Sequence, residues 1–414
     1  MRDWLATFQS PELLQLIGSA RTNNHDLAAA AARVRQADEH ARAAGAALLP
    51  SIGLDANITH FRGQVGSTHA SETDSSAGLT ASYELDFWGS NRRARDSAAL
   101  TARARRADRD ALELVTDASI AQMYFLVLSL RERAASATSD VNAAQRMLDA
   151  ITARFSAGAI GPQEVAAQRA VVATAEIAAR ELEQQEHEAL VALALLVGTP
   201  PERFDVEARS LDAISTPTLA PATPAELIVH RPDIAAAEYE LSAAHADLLV
   251  ARAAFFPTIT LSTSGAIQNP GFNAAVTTIA GTGSSITFAA ALVQAIFDGG
   301  QRKAVRNEAQ AREDELLATY QSTVQAALGD VETALSAIHA LELQQLPLRD
   351  AVVQSQAAFE GAEIRFRRGS GDILAVLDAQ RTLIAAHDRE LVSRLARLNA
   401  VVSLAKALGG GWKS

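Results

Sequence analysis

The sequence predicts a mainly helical fold with a minor β part, built twice over. Three observations carry that expectation. Long helical patterns meet at two short glycine breaks, Arg154 to Pro162 and Arg365 to Asp372. Four short segments switch to a two-residue alternation of apolar and polar side chains. The features of the first half return in the second at a spacing of about 210 residues, and such duplication is evidence about architecture.

Composition agrees. Hydrophobic residues make up 48% of the 414 positions but aromatics only 5%, and much of the rest is Ala. Ala-rich chains with abundant Arg, Glu, Gln and Leu suit long, closely packed helices better than several globular cores. The net charge of −11 argues against a nucleic-acid partner. With no Cys, disulfide and thiol chemistry are excluded, which is compatible with an oxidising compartment. No run of eighteen apolar residues occurs, so no membrane-spanning helix is expected. Met1-Arg2-Asp3-Trp4 lacks the basic and apolar regions of a signal peptide, so either the chain is cytoplasmic or its export signal lies upstream, and the rest of the sequence favours the second.

In chain order, Ser10-Pro11-Glu12 opens a helical stretch that reaches about residue 49, with a polar break at Thr22 to Asp26. Pro50 ends it, because the proline ring disfavours helical geometry just before it. Strands are expected at about 51–62 and 78–88, joined by a polar loop from Gly63 to Gly78. A pattern free of Gly and Pro then runs from about Asn91 to Phe155, long enough to span ~100 Å as one helix. Val141, Ala144, Leu148, Ile151 and Phe155 follow a coiled-coil spacing. After the first break, Pro162 starts a return helix to about Val197. A Pro-rich connector at 199–225 holds five of the twelve prolines; it overlaps the end of the first repeat, 1–210, and leads to the second.

The second repeat, 226–414, restates the plan. Arg231-Pro232-Asp233-Ile234 begins a helix that stops at Phe256. Strands are expected at about 258–267 and 284–297, then a helix from about Gln301 to Arg365, then the break at 365–372. A last helix carries Leu377, Ile384, Leu391, Leu398 and Ala405 at heptad steps. Gly158 and Gly369 lie 211 positions apart.

Each strand is about ten residues long with one apolar face, the pattern of a tilted outer-membrane strand. Four strands cannot close a barrel, and an open edge in lipid strands its backbone polar groups. Three copies would supply twelve strands, so a homotrimer in outer-membrane lipid is expected.

Several segments together carry a family resemblance: Tyr83-Glu84-Leu85-Asp86-Phe87-Trp88-Gly89, Arg231-Pro232-Asp233-Ile234, Phe297-Asp298-Gly299-Gly300, Val376-Leu377-Asp378-Ala379-Gln380-Arg381 and Lys406-Ala407-Leu408-Gly409-Gly410-Gly411-Trp412. In this order the chain resembles the TolC-type outer-membrane efflux proteins, in the branch of lipoprotein channels that serve resistance-nodulation-division pumps. The resemblance implies a trimer whose twelve-stranded outer-membrane β-barrel continues into a long periplasmic α-helical barrel, with the Pro-rich connector in an equatorial belt. It implies a passive exit duct for toxic small molecules in a Gram-negative outer membrane. Its partners would be a periplasmic adaptor and an inner-membrane pump. Export of proteins through the same fold is the alternative, and a soluble coiled-coil scaffold the bland one. A lipidated Cys, common in this branch, would also lie upstream.

The resemblance further implies a periplasmic gate. Asp378 would point into the tunnel as a ring of three carboxylates, with Arg365 and Phe366 at positions where relatives use Arg and Tyr to tie the gate shut. Phe366 lacks the hydroxyl, which leaves an Arg365–Asp378 link as the available tie. Arg154, Gly158, Arg368 and Gly369 at the hairpin tips would contact the adaptor. No cofactor, metal or catalytic residue is expected. Ser403-Leu404-Ala405-Lys406 lacks companion motifs, Glu186-His187-Glu188 lacks a further ligand at helical spacing, and no phosphate-binding loop occurs.

Overall fold

A computed structural model describes residues 3–65, 68–215, 230–270 and 283–410. Eight α-helices and four strands lie within them. In order these are α1 (Asp3–Ala6), α2 (Pro11–Asn23), α3 (His25–Ala46), β1 (Ser51–Val65), β2 (Thr68–Glu84), α4 (Ser90–Ser156) and α5 (Pro162–Val197). Then follow α6 (Pro232–Ala253), β3 (Thr258–Pro270), β4 (Gly283–Val293), α7 (Gln301–Arg367) and α8 (Ile373–Ala407).

The duplication is closely kept. Helices α4 and α7 both have 67 residues, α3 and α6 both have 22, and α5 and α8 have 36 and 35. Both long helices begin on a carboxylate that satisfies free amides of the first turn. Asp86 accepts from the Asn91 and Arg92 amides and from Arg92 Nε. Asp298 accepts from the Gly300 and Arg302 amides and from Arg302 Nε.

By contacts the chain divides into two compact units. One comprises Met1–Ala32, Ala107–Ala235 and Ser322–Ser414; the other comprises Arg33–Arg106 and Ala236–Gln321. The first unit holds the main core. Phe8, Leu13, Ile120, Tyr124, Phe125, Leu128, Leu193 and Leu398 are buried together there, and Phe8 packs on Phe125 with ring centroids 5.1 Å apart. Contrary to the expectation from runs of apolar residues, α4 has one stretch apolar enough to cross a membrane by length and composition. Half of that stretch is buried inside the protein, and Ile120 to Leu128 of α4 belong to the core.

The second unit carries an antiparallel sheet in the order β1-β2-β3-β4. Register places Leu54 opposite Leu79, Leu79 opposite Gly265, and Gly265 opposite Ile286. Ile52, Leu54, Leu79, Leu261, Phe288 and Leu292 therefore share one face, and all are exposed. The opposite face carries Asp55, Asn57, Thr80, Ser262 and Ser264, where Thr80 Oγ1 donates to Asp55 Oδ1 at 3.1 Å.

The strand boundaries correct the sequence reading. Most of the expected loop from Gly63 to Gly78 is paired strand, because a backbone ladder forms without an apolar face. β2 stops at Glu84 rather than 88, since Asp86 turns the chain into α4 and Trp88 leaves the sheet to stack on Phe256, centroids 4.5 Å apart. β4 likewise stops at Val293 rather than 297. Pro347 sits inside α7 without ending it. The connector makes two 3-10 turns, Pro201–Arg203 and Leu211–Ala213; its residues 216–225, the loop expected after β3, and Trp412 lie outside the described residues.

Candidate gate and hairpin tips

Both tips are built by the same hydrogen-bond pattern. At the first, the Gly158 amide donates to Phe155 O at 2.9 Å and the Ala159 amide to Arg154 O at 3.0 Å. At the second, the Gly369 amide donates to Phe366 O and the Ser370 amide to Arg365 O, each at 3.0 Å. This pairing ends a helix on a left-handed residue, and Gly158 and Gly369 have φ of +72° and +75°. The returning helices start on Pro162 after Gly161, and on Asp372, whose carboxylate accepts from the Leu374 amide at 3.0 Å.

Beyond the hydrogen bonds the two tips differ. Phe366 is buried with Met147, Ile151, Val165, Ile373, Val376 and Leu377 in a small core that joins the hairpins. Its counterpart Phe155 is 43% exposed, so the predicted seam on α4 ends at Ile151. Arg154 couples the tips: its guanidinium lies 4.3 Å from the Phe366 ring centroid and donates to Phe366 O and Arg367 O at 3.0 and 3.2 Å. Asp378, Arg365 and Arg368 are exposed. Among the described residues no ion pair joins Arg365 to Asp378, although both belong to the same hairpin.

Sequence reasoning missed a hub beside the connector. Arg131 is buried on α4, with Nε 2.6 Å from Glu186 Oε1 and Nη1 donating to Val206 O and Ala208 O at 2.5 and 2.9 Å. It also pairs with Asp205. Burial alone would raise the Asp205 carboxyl, but the Arg131 hydrogen bond and charge hold it below the usual carboxylate range. Arg394 does the same for Asp212, at 2.5 Å. Nothing local in the sequence distinguished Arg131 from its many arginine neighbours.

Arg231, noted in the sequence without a role, ties α6 to α8. It donates to Asp233 at 2.8 Å, to Asp330 at 3.1 Å and to Ala407 O at 3.1 Å. Asn24 does the equivalent work in the first repeat, donating to Leu196 O at 2.8 Å. In the two patterns weighed as catalytic or metal-like, Ser403 Oγ accepts from Gln122 Nε2 at 3.2 Å, and Glu186 Oε1 accepts from Arg131 Nε at 2.6 Å.

Long helical hairpins in duplicate, an open four-stranded sheet with an apolar outer face, and paired glycine tips define an outer-membrane export channel. The family model described as outer membrane efflux protein matches residues 16–199 and 223–410, and the chain belongs to that family. It is an outer-membrane efflux channel protein with the TolC-like fold. Similar relatives include the pyoverdine export outer membrane protein OpmQ of Pseudomonas putida, 40% identical over 99% of this chain and 88% of the relative. The toluene efflux pump outer membrane protein TtgF of Pseudomonas putida is 30% identical over 99% of this chain and 85% of its own length. The outer-membrane channel OprN superposes with a TM-score of 0.92 at 28% identity, over 100% of this chain and 93% of that one.

Proposed function

We propose that three copies assemble into a passive, gated duct through which a pump expels small organic compounds. The observation that carries this is the sheet. One of its faces leaves Leu54 77%, Ile286 75% and Phe288 81% exposed, and among the described residues the outer edges of β1 and β4 pair with no further strand of the chain. Lipid removes the cost of the first, and neighbouring copies remove the second. On α5 and α7, Ile177, Leu343, Leu346 and Val353 are exposed apolar side chains suited to further contact between copies.

At the tips, three copies of Asp378 form the constriction and attract cations, with Arg365 and Phe366 at the same end. The buried Phe366 acts by packing, holding the gate hairpin on its neighbour. Arg154, Gly158, Arg368 and Gly369 present the docking surface for a periplasmic adaptor. The exports named for the two relatives, pyoverdine and toluene, support small organic cargo over protein cargo.

Single-channel conductance of the detergent-extracted protein in planar bilayers tests this reading. The wild type should conduct poorly and be blocked by divalent cations; Asp378→Ala should lose the block. A trimer whose cation block survives that substitution would remove Asp378 from the gate, and a protein that never inserts would remove the duct.

A further inference from the structure

The contact between the two tips of one chain has a vacant counterpart. The repeats correspond at a spacing of 211 residues here, so Arg154 matches Arg365, Phe155 matches Phe366, and Ser156 matches Arg367. Within the chain, Arg154 of the first tip lies over Phe366 and donates to the carbonyls of Phe366 and Arg367. The matching donor, Arg365, is exposed and holds none of the side-chain contacts that Arg154 makes. The matching acceptor surface, the Phe155 ring and the end of α4, is exposed too.

This leaves an unmatched donor on the second repeat and an unmatched acceptor surface on the first, and two such surfaces meet when duplicated units are arranged in a ring. Resting on the trimer reading above, we propose that Arg365 of one copy stacks on Phe155 of the next and donates to its Phe155 and Ser156 carbonyls. Six tips then alternate contacts within and between chains, each a guanidinium over an aromatic face at a helix C-terminus. The two contacts differ in what they sense. Arg154 holds together the tips of a single chain. Arg365 reaches its target only when the second hairpin sits as the first does; an inward lean of the second hairpin breaks it. The contact between copies is therefore a latch for the dilated mouth, and it engages Arg365 away from Asp378.

The chain has no Cys, so the test is a thiol cross-link between chains. Arg365→Cys and Ser156→Cys chains are co-expressed, trimers are isolated, and cross-linking by a short bis-maleimide is followed on denaturing gels, because an arginine reaches further than a disulfide spans. The pair reproduces Arg154 and Arg367 of one chain, where the Arg154 guanidinium and the Arg367 carbonyl are 3.2 Å apart. A linked band of two chains, absent from either variant alone, is expected, and it should increase when the adaptor is bound. Intact trimers that give no such band, with or without adaptor, overturn the latch and leave the trimer reading standing. Failure to isolate any trimer overturns both.

Discussion

The guanidinium of Arg154 lies 4.3 Å from the centre of the Phe366 ring, although 212 residues separate them. Through it the first hairpin tip caps the last turn of the helix that forms the second. A cation over a ring and charge-assisted bonds to two carbonyls together stabilise the joint by about 1–3 kcal/mol. Arg154→Ala should leave the trimer and its main core intact. Amides of Arg368 to Ser370 should then exchange roughly tenfold faster or more. Unchanged exchange at those amides would show that the small core around Phe366 suffices alone.

Gly158 and Gly369 test docking without confusing it with folding. A Cβ at either would meet nothing within 4 Å, so the intrinsic cost is only that of left-handed backbone, about 1–2 kcal/mol. Gly158→Asp or Gly369→Asp should therefore abolish export, read as drug sensitivity of the host, while trimers stay assembled. Gly371 is different: its Cβ would lie 2.9 Å from the Phe366 nitrogen and from Arg365 Cβ. Gly371→Ala should disturb the tip itself, seen as loss of exchange protection at Phe366.

The ends of the two return helices make a matched pair. A Cβ on Gly198 would lie 2.4 Å from Asn23 O, and one on Gly409 would lie 2.6 Å from His230 O. Both glycines also have positive φ, +78° and +70°. Gly198→Ala and Gly409→Ala should each lower the melting temperature, by about 2 kcal/mol or more of stability, since backbone cannot yield as a side chain would.

Acid should loosen the connector and the start of α6. The Asp205, Asp212 and Asp233 carboxyls are all held below their ordinary value in the folded chain. For Asp205 and Asp233 burial opposes the shift and their arginine partners, Arg131 and Arg231, prevail; for Asp212 the Arg394 hydrogen bond is the leading cause. A depressed folded pKa contributes stability above the unfolded value, about 3.9, and loses it as pH falls through the folded value. The melting temperature should fall from about pH 5 to 3, and Asp205→Asn should flatten part of that slope. An equal slope in the variant would contradict the role given to the Arg131 pair.

Much of this was legible in the sequence because the punctuation is local. Pro50, Pro162, Gly158, Gly369 and Pro232 each stop or start an element for reasons confined to their own backbone. Helix ends fell within a few residues for the same reason. The strands were read too short at the polar end and too long at the other, since pairing there depends on the opposite strand and on Asp86 and Trp88. The tips were found, but not the contact of Arg154 with Phe366 or the Arg131 hub, because both join residues distant in sequence. The exposure of Phe155 escaped a heptad count because a seam carries no record of where its partner helix ends.

Closure of the wall by neighbouring copies is tested most directly at the sheet edges. Thr80 faces Ser264 where β2 meets β3 within the chain. The matching positions in the other repeat are Ala291 on β4 and Asn57 on β1, the two edge strands. Chains carrying Asn57→Cys and Ala291→Cys should oxidise in detergent or membranes to reducible dimers and trimers, while Asn57→Cys with Ala290→Cys, on opposite faces, should not. Protein that stays monomeric, or that links only within single chains, would contradict a barrel completed by identical copies.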